Sequence, residues 1–175
     1  MYVIVDLEWT CCDDNSIPSE ESEIIEIGAV ALSHQWDTLG EFGILVKPEH
    51  HPQLTPFCSK LTGISQAMVD NAKSFFDVYH VLDIWCDLFG KPVFCSWGNS
   101  DWKIINRAYN ARLRNVADTF DGPIDLSRLF RRKYHRLCGH RKAMTLLGMT
   151  EEGPRHRGLV DARNIARMAP LLLEL

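Results

Sequence analysis

No stretch of this 175-residue chain is long and apolar enough to span a membrane, and no internal repeat, low-complexity tract or linker interrupts it. Neither a membrane-spanning helix nor a repeat array is therefore expected. The six cysteines, Cys11, Cys12, Cys58, Cys86, Cys95 and Cys138, include no C-x-x-C pair and lack the paired spacing of a zinc site. Several fall inside apolar runs, so they read as reduced thiols, mostly core. Met1 leads straight into strand-like sequence with neither a basic region nor a small-residue cleavage site, which predicts a cytoplasmic protein. Net positive charge is lacking too: −4 overall and a pI near 6.0 weigh against a nucleic-acid partner.

What is present is enough apolar residue, 46%, for one compact domain over residues 1–175 with a sizeable core. The charge is also unevenly spread. Between Arg128 and Arg167 there are eleven Lys or Arg against three acids, Glu151, Glu152 and Asp161. Such a segment either holds a polyanion by neutralising phosphates or forms a solvated helical face, and composition leaves both open.

Tyr2 to Trp9 reads as a buried strand, Glu23 to Leu32 alternates apolar with small or polar residues, and Gly40 to Val46 gives a third strand; the short links predict an antiparallel run. Helical spacing follows at Ser65 to Asp70 and Ser74 to Phe89, then a short strand at Pro92 to Ser96. A helix capped by Asn99 or Ser100 is expected to run to about Leu113, and a brief fifth strand covers Pro123 to Asp125. Helices are predicted at Leu126 to Tyr134, His140 to Leu147 and Leu159 to Met168, the last ended or kinked by Pro170. The order predicts an α/β fold, a mixed five-stranded sheet flanked by helices.

In the first strand, Val3, Val5, Leu7 and Trp9 line one face and Tyr2, Ile4, Asp6 and Glu8 the other. Two carboxylates thus lie side by side. Burying them requires a neutraliser, most directly a hard divalent cation, unless the strand frays and both are solvated. Asp101 sits in the first turn of the helix after Val-Phe-Cys-Ser-Trp-Gly, and Asp161 opens the last helix, five positions after His156. Each alone is explained by capping or the helix dipole. Together they place acids from three separate elements within reach of one point. Deleting one of several mutually repelling acids is expected to leave metal-free stability unchanged or higher.

These residues, Asp6-Leu7-Glu8, Asp101 after Ser-Trp-Gly, and His156 with Asp161, resemble the DEDDh superfamily of 3′-to-5′ exonucleases, which have an RNase H-like fold. The segments Phe57-Cys58 with Leu61-Thr62-Gly63-Ile64, and Asp161-Ala162-Arg163-Asn164-Ile165-Ala166-Arg167, are most similar to enhanced-RNAi-type exoribonucleases and related bacterial proteins. Where many relatives have an acid two positions before the third aspartate, this chain has Asn99, outside the family's ligand set. No counterpart to the extra nucleic-acid-binding domain of animal members is expected within these residues, so delivery to a particular RNA is expected to rest on the basic segment, on a partner or on nothing.

The resemblance implies two Mg²⁺ or Mn²⁺ ions roughly 3.5 to 4 Å apart, held by Asp6, Glu8, Asp101 and Asp161, with Asp6 bridging. It makes His156 the general base. It also implies single-stranded nucleic acid as the partner, read at the 3′ end and with RNA favoured over DNA, and the release of nucleoside 5′-monophosphates. Trp9, Thr10, Leu61 and Thr62 are the implied contacts to the terminal nucleotide, with Trp97 a further stacking candidate unless it is core. A DNA exonuclease of the proofreading or trimming type, or an inactive nucleic-acid-binding adaptor, would carry much of the same sequence.

Overall fold

The structure, a computed structural model, describes residues 1–111 and 114–174. The elements in chain order are β1 (Tyr2–Trp9), β2 (Ile24–Leu32), β3 (Thr38–Lys47), α1 (Pro56–Thr62), α2 (Gln66–Asp70), β4 (Lys73–Ser74), α3 (Phe75–Asp87), β5 (Val93–Ser96), α4 (Ser100–Asn110), α5 (Val116–Thr119), β6 (Asp121–Asp125), α6 (Leu126–Tyr134), α7 (His140–Leu146), α8 (Gly158–Ala166) and α9 (Ala169–Leu173). The expected helix end near Leu113 lies outside the described residues. Among those residues no helix is long and apolar enough to cross a membrane.

The sheet has six strands in the order β4-β3-β2-β1-β5-β6, one more than expected. The additional strand, β4, is two residues pairing in parallel with Val46 and Lys47, too short to leave a period in the sequence. β1, β2 and β3 pair antiparallel, while β5 runs parallel to β1 and β6 parallel to β5. Both faces of β1 are covered. Val3, Val5 and Leu7 join the core beneath α3 and α4, including Val78, Leu82 and Ile105; Ile4 joins the opposite core with Phe130, Met144, Ala162 and Ile165. Asp6 and Glu8 continue the second face, toward α8.

Every residue of β2 is buried, although its sequence alternates. The small residues reflect close packing and not exposure: a Cβ on Gly28 would lie 1.9 Å from the Gly158 carbonyl carbon and 2.0 Å from Leu159 N. α8 therefore rests its first turn directly on the strand backbone. α3 follows the predicted spacing, with Ser74 capping the Asp77 N–H and Phe75, Val78, Tyr79, Leu82 and Cys86 turned inward. Each such large apolar side chain contributes about 1.5–3 kcal/mol.

Three helices escaped the sequence reading. α1 carries readable signals nonetheless: Thr55 accepts the Cys58 N–H as N-cap, Pro56 opens the helix, and Gly63 ends it at φ 69°. α5 has only four residues, and α9 has Pro170 in its first turn, so this proline begins a helix after α8 has already ended at Ala166. Cys58, Cys86 and Cys95 are buried, and all six cysteines are free.

Candidate active site

Pairing between β1 and β5 stops at Ile4 and Cys95, so the end of β1 bearing Asp6 and Glu8 projects past its parallel neighbour. The Leu7 N–H on that side has no strand acceptor. Asp101, in the first turn of α4, fills the gap: its Oδ1 accepts the Leu7 N–H at 3.0 Å. One hydrogen bond thus fastens the third acid beside the first two.

Asp161 arrives through α8. The Glu26 carboxylate, opposite Glu8 in the β1–β2 register, receives Arg157 Nε and Nη2 at 2.9–3.3 Å and the Gly158 N–H at 2.9 Å. This clamp and the Gly28–Gly158 contact set the first turn of α8 against the acid-bearing strand. Asp161 Oδ2 then accepts the His156 N–H at 2.9 Å, and Oδ1 lies 3.1 Å from His140 Nε2. His156 has φ 55°, a left-handed conformation for a non-glycine residue that turns its chain back onto Asp161. Farther back, Asn164 exchanges two hydrogen bonds with the Glu152 backbone, at 3.0 and 2.9 Å, tying the same loop to α8.

Glu8, His156 and Asp161 each offer a ligand atom within 4.8 Å of the others. Asp6 and Asp101 adjoin them closely enough to perturb one another. Burial, then Asp101, Asp161, Glu8 and Glu26, pushes the Asp6 carboxyl well above the usual carboxylate range. Burial followed by Asp161 and Glu26 pushes Glu8 up to about 8. Burial lifts Asp101 to about 6, against the pull of the Leu7 N–H and His140. For Asp161 burial is the largest influence, but His140, Arg141 and the His156 N–H outweigh it and hold the carboxyl below its usual value. Burial and then Arg141 lower the His156 imidazole. Crowded, mutually repelling oxygen donors are the donor set a hard divalent cation takes, so Mg²⁺ or Mn²⁺ fits the residues present.

The five expected chemical residues are thus brought to one end of the sheet. The expected nucleotide contacts divide. Trp9 is half-buried at the edge of the α3-side core, and Leu61 is 37% exposed. Thr62 is 1% exposed with its hydroxyl donated to Cys58 O and accepting the Ile64 N–H, and Thr10 is 1% exposed with its hydroxyl accepting the Glu23 N–H. Both hydroxyls are thus engaged with backbone. Trp97 is half-buried: it packs on Phe130 at 5.6 Å and donates Nε1–H to Cys138 O.

Sequence reasoning missed His140, Arg141 and the Glu26–Arg157 clamp. His140 and Arg141 looked like part of a basic run, and only the fold turns them toward Asp161. The basic segment is neutralised toward its C-terminal end: Arg155, Arg157, Arg163 and Arg167 pair with Glu151, Glu26, Glu41 and Glu152 at 2.6–3.3 Å, two of those acids coming from the sheet. Arg128, Arg131, Arg132, Arg136 and Lys142 make no ion pair among the described residues. Their charge remains available around α6.

A family model described as exonuclease matches residues 3–169. Over 98% of its length the chain is 32% identical to ERI1 exoribonuclease 2 of Danio rerio and 31% identical to ERI1 exoribonuclease 3 of Homo sapiens. It spans 34% and 53%, respectively, of these curated relatives. Among solved structures, the nuclease domain of 3′hExo, a DEDDh family member bound to rAMP, superposes with a TM-score of 0.88 at 31% identity, covering 99% of this chain and 91% of that one.

Proposed function

The chain belongs to the DEDDh exonucleases, and from that membership we propose a metal-dependent 3′-to-5′ exonuclease, its residues 1–175 one catalytic domain, that shortens single-stranded RNA and releases nucleoside 5′-monophosphates. The observation that carries this reading is the convergence of Asp6, Glu8, Asp101 and Asp161 with His156 at the end of β1 that β5 leaves uncovered. The relatives named exoribonucleases and the rAMP held by the 3′hExo domain support RNA as substrate.

Asp6, Glu8, Asp101 and Asp161 would hold two Mg²⁺ or Mn²⁺ ions, whose charge, when bound, offsets that of the phosphate and acidifies a water. His156, its imidazole held below its ordinary pKa, is neutral at pH 7 and takes the proton of the attacking water. The water oxygen bonds to phosphorus as the bond to the preceding nucleotide's 3′ oxygen breaks, leaving the phosphate on the released mononucleotide. Leu61 and Trp9 present apolar surface to the terminal base, which demands no base identity.

One or two hydrogen bonds to the 2′-hydroxyl would favour RNA by roughly 0.5–1.5 kcal/mol each, about two- to a hundredfold in rate. The test is single-turnover digestion of 5′-labelled RNA and DNA of one sequence, with Mg²⁺ and with chelator. Progressive 3′ shortening that requires metal, slower on DNA, is the expected result. Equal or faster cutting of DNA moves the assignment to a DNA exonuclease, and cleavage of a circular strand overturns it.

A further inference from the structure

Among the described residues only two buried side-chain polar atoms have no hydrogen-bond partner, Nε and Nη2 of Arg141, and both lie at the candidate active site. Arg141 is the second residue of α7, next to His140, and reaches the oxygen of Asp161 that accepts the His156 N–H. Leaving a buried donor unmatched costs roughly 1–3 kcal/mol, more when the group is charged. The nearby acids do not remove that cost. Glu151 Oε2 is 3.8 Å from Arg141 Nε and closer to Arg155, at 3.3 Å. Asp161 Oδ2 is 3.6 Å from Nη2, is already engaged by the His156 N–H, and belongs to the set that would hold cations.

Charge counting points the same way. Four carboxylates offset two divalent cations, and Glu26 is matched by Arg157. Arg141 then leaves one positive charge in excess, and a phosphodiester brings one negative charge. Resting on the exonuclease reading above, we infer that Arg141 contacts the substrate: its Nε–H and Nη2–H receive the non-bridging oxygens of the 3′-terminal phosphodiester and, after hydrolysis, of the 5′-phosphate of the released mononucleotide. The guanidinium edge formed by these two atoms matches two phosphate oxygens in parallel.

The third nitrogen adds a consequence. Arg141 Nη1 lies 3.5 Å from His156 Nε2, and because a guanidinium has no lone pair to offer, a hydrogen bond there makes Nε2 the bare ring nitrogen. Arg141 therefore covers the lone pair that is to take the water proton. Turning the guanidinium onto a phosphate uncovers it, so the base is released as substrate arrives.

The experiment measures inhibition of Mg²⁺-dependent RNA cleavage by adenosine 5′-monophosphate, with adenosine as the phosphate-free control, in the parent, Arg141→Gln and Arg141→Lys. The Gln variant is expected to raise the AMP inhibition constant about ten- to a hundredfold and the Lys variant less, with adenosine, the Mg²⁺ activation constant and the thermal midpoint near those of the parent. Unchanged AMP inhibition overturns the inference, as does an equal weakening of AMP and adenosine, or a loss that tracks a shifted Mg²⁺ constant. Should the Gln variant not fold, Arg141→Met, which keeps the apolar stem, takes its place with the same expectations. A parent that cleaves neither RNA nor DNA refutes the exonuclease reading instead, and calorimetric titration of AMP into parent and variant then decides the phosphate contact on its own.

Discussion

Gly28 and Gly158 meet backbone to backbone: a Cβ on Gly158 would lie 2.9 Å from Asp6 O and 3.0 Å from Gly28 N, and one on Gly28 would overlap the Gly158–Leu159 peptide. Gly28→Ala should therefore lift α8 from the sheet and carry Asp161 away from Asp6 and Glu8. We expect a loss of about 1–3 kcal/mol or more in urea unfolding, and loss of cleavage in whatever fraction folds. Parent-like stability with parent-like turnover would mean the contact does not set the site.

Asp6→Asn and Asp161→Asn should both abolish cleavage but move metal-free stability in opposite directions. Asp6 is destabilised as a carboxylate by burial and by four neighbouring acids, so its replacement should raise the melting temperature. Asp161 is stabilised as a carboxylate by His140, Arg141 and the His156 N–H, so its replacement should lower it. Repulsion alone, the only influence visible in the sequence, implied the same sign for both. Thermal unfolding in chelator checks the pair, and shifts of equal sign would contradict the site's electrostatics.

The metal-free protein should lose stability as pH rises from about 4.5 to 8. Unfolded carboxylates ionise near 4 to 4.5, whereas Glu8 keeps its proton to about 8, Asp101 to about 6, and Asp6 well above the usual range. Folded protein thus binds more protons across that window. The lowered Asp161 acts only below pH ~4, and the lowered His156 imidazole opposes the trend below pH ~6.5 as one group against three. Saturating Mg²⁺ should flatten the slope by favouring the ionised acids. A melting temperature that climbs with pH in chelator would sink this account.

His156→Ala should slow the chemical step on the order of 10² to 10⁴-fold and remove the rising limb expected of the parent below pH ~6.5. Because the ring shares a ligand-distance cluster with Glu8 and Asp161, metal titration is the deciding measurement. Near-parent Mg²⁺ affinity fits a base. A collapse in affinity would make His156 a ligand.

The acids were legible in the sequence because each sits in a strong local context: Asp6 and Glu8 alternate on an apolar strand, and Asp101 and Asp161 occupy first helical turns. His140 and Arg141 were not, since nothing local distinguishes them from the basic residues around them, and their role depends on α7 folding against α8. Glu26 looked like an ordinary polar position of an alternating strand; its partner Arg157 is 131 residues away. The antiparallel run of β1 to β3 and the mixed sheet were inferable from element order, whereas β4 and α5 are too brief to express a period. Thr10 and Thr62 were named as nucleotide contacts by resemblance, and the fold buries both.

The overhang of β1 past β5 also equips the molecule with a built-in probe. The Leu7 amide is shielded by a side chain and not by a neighbouring strand, so its hydrogen exchange reports the tether between Asp101 and β1 separately from the unfolding of the sheet. Val5 and Leu7 lie on one strand two residues apart, yet the Leu7 amide should lose protection first when Asp101→Ala is introduced. A ¹⁵N-resolved exchange series would then read the integrity of the site in protein that has met neither metal nor nucleic acid.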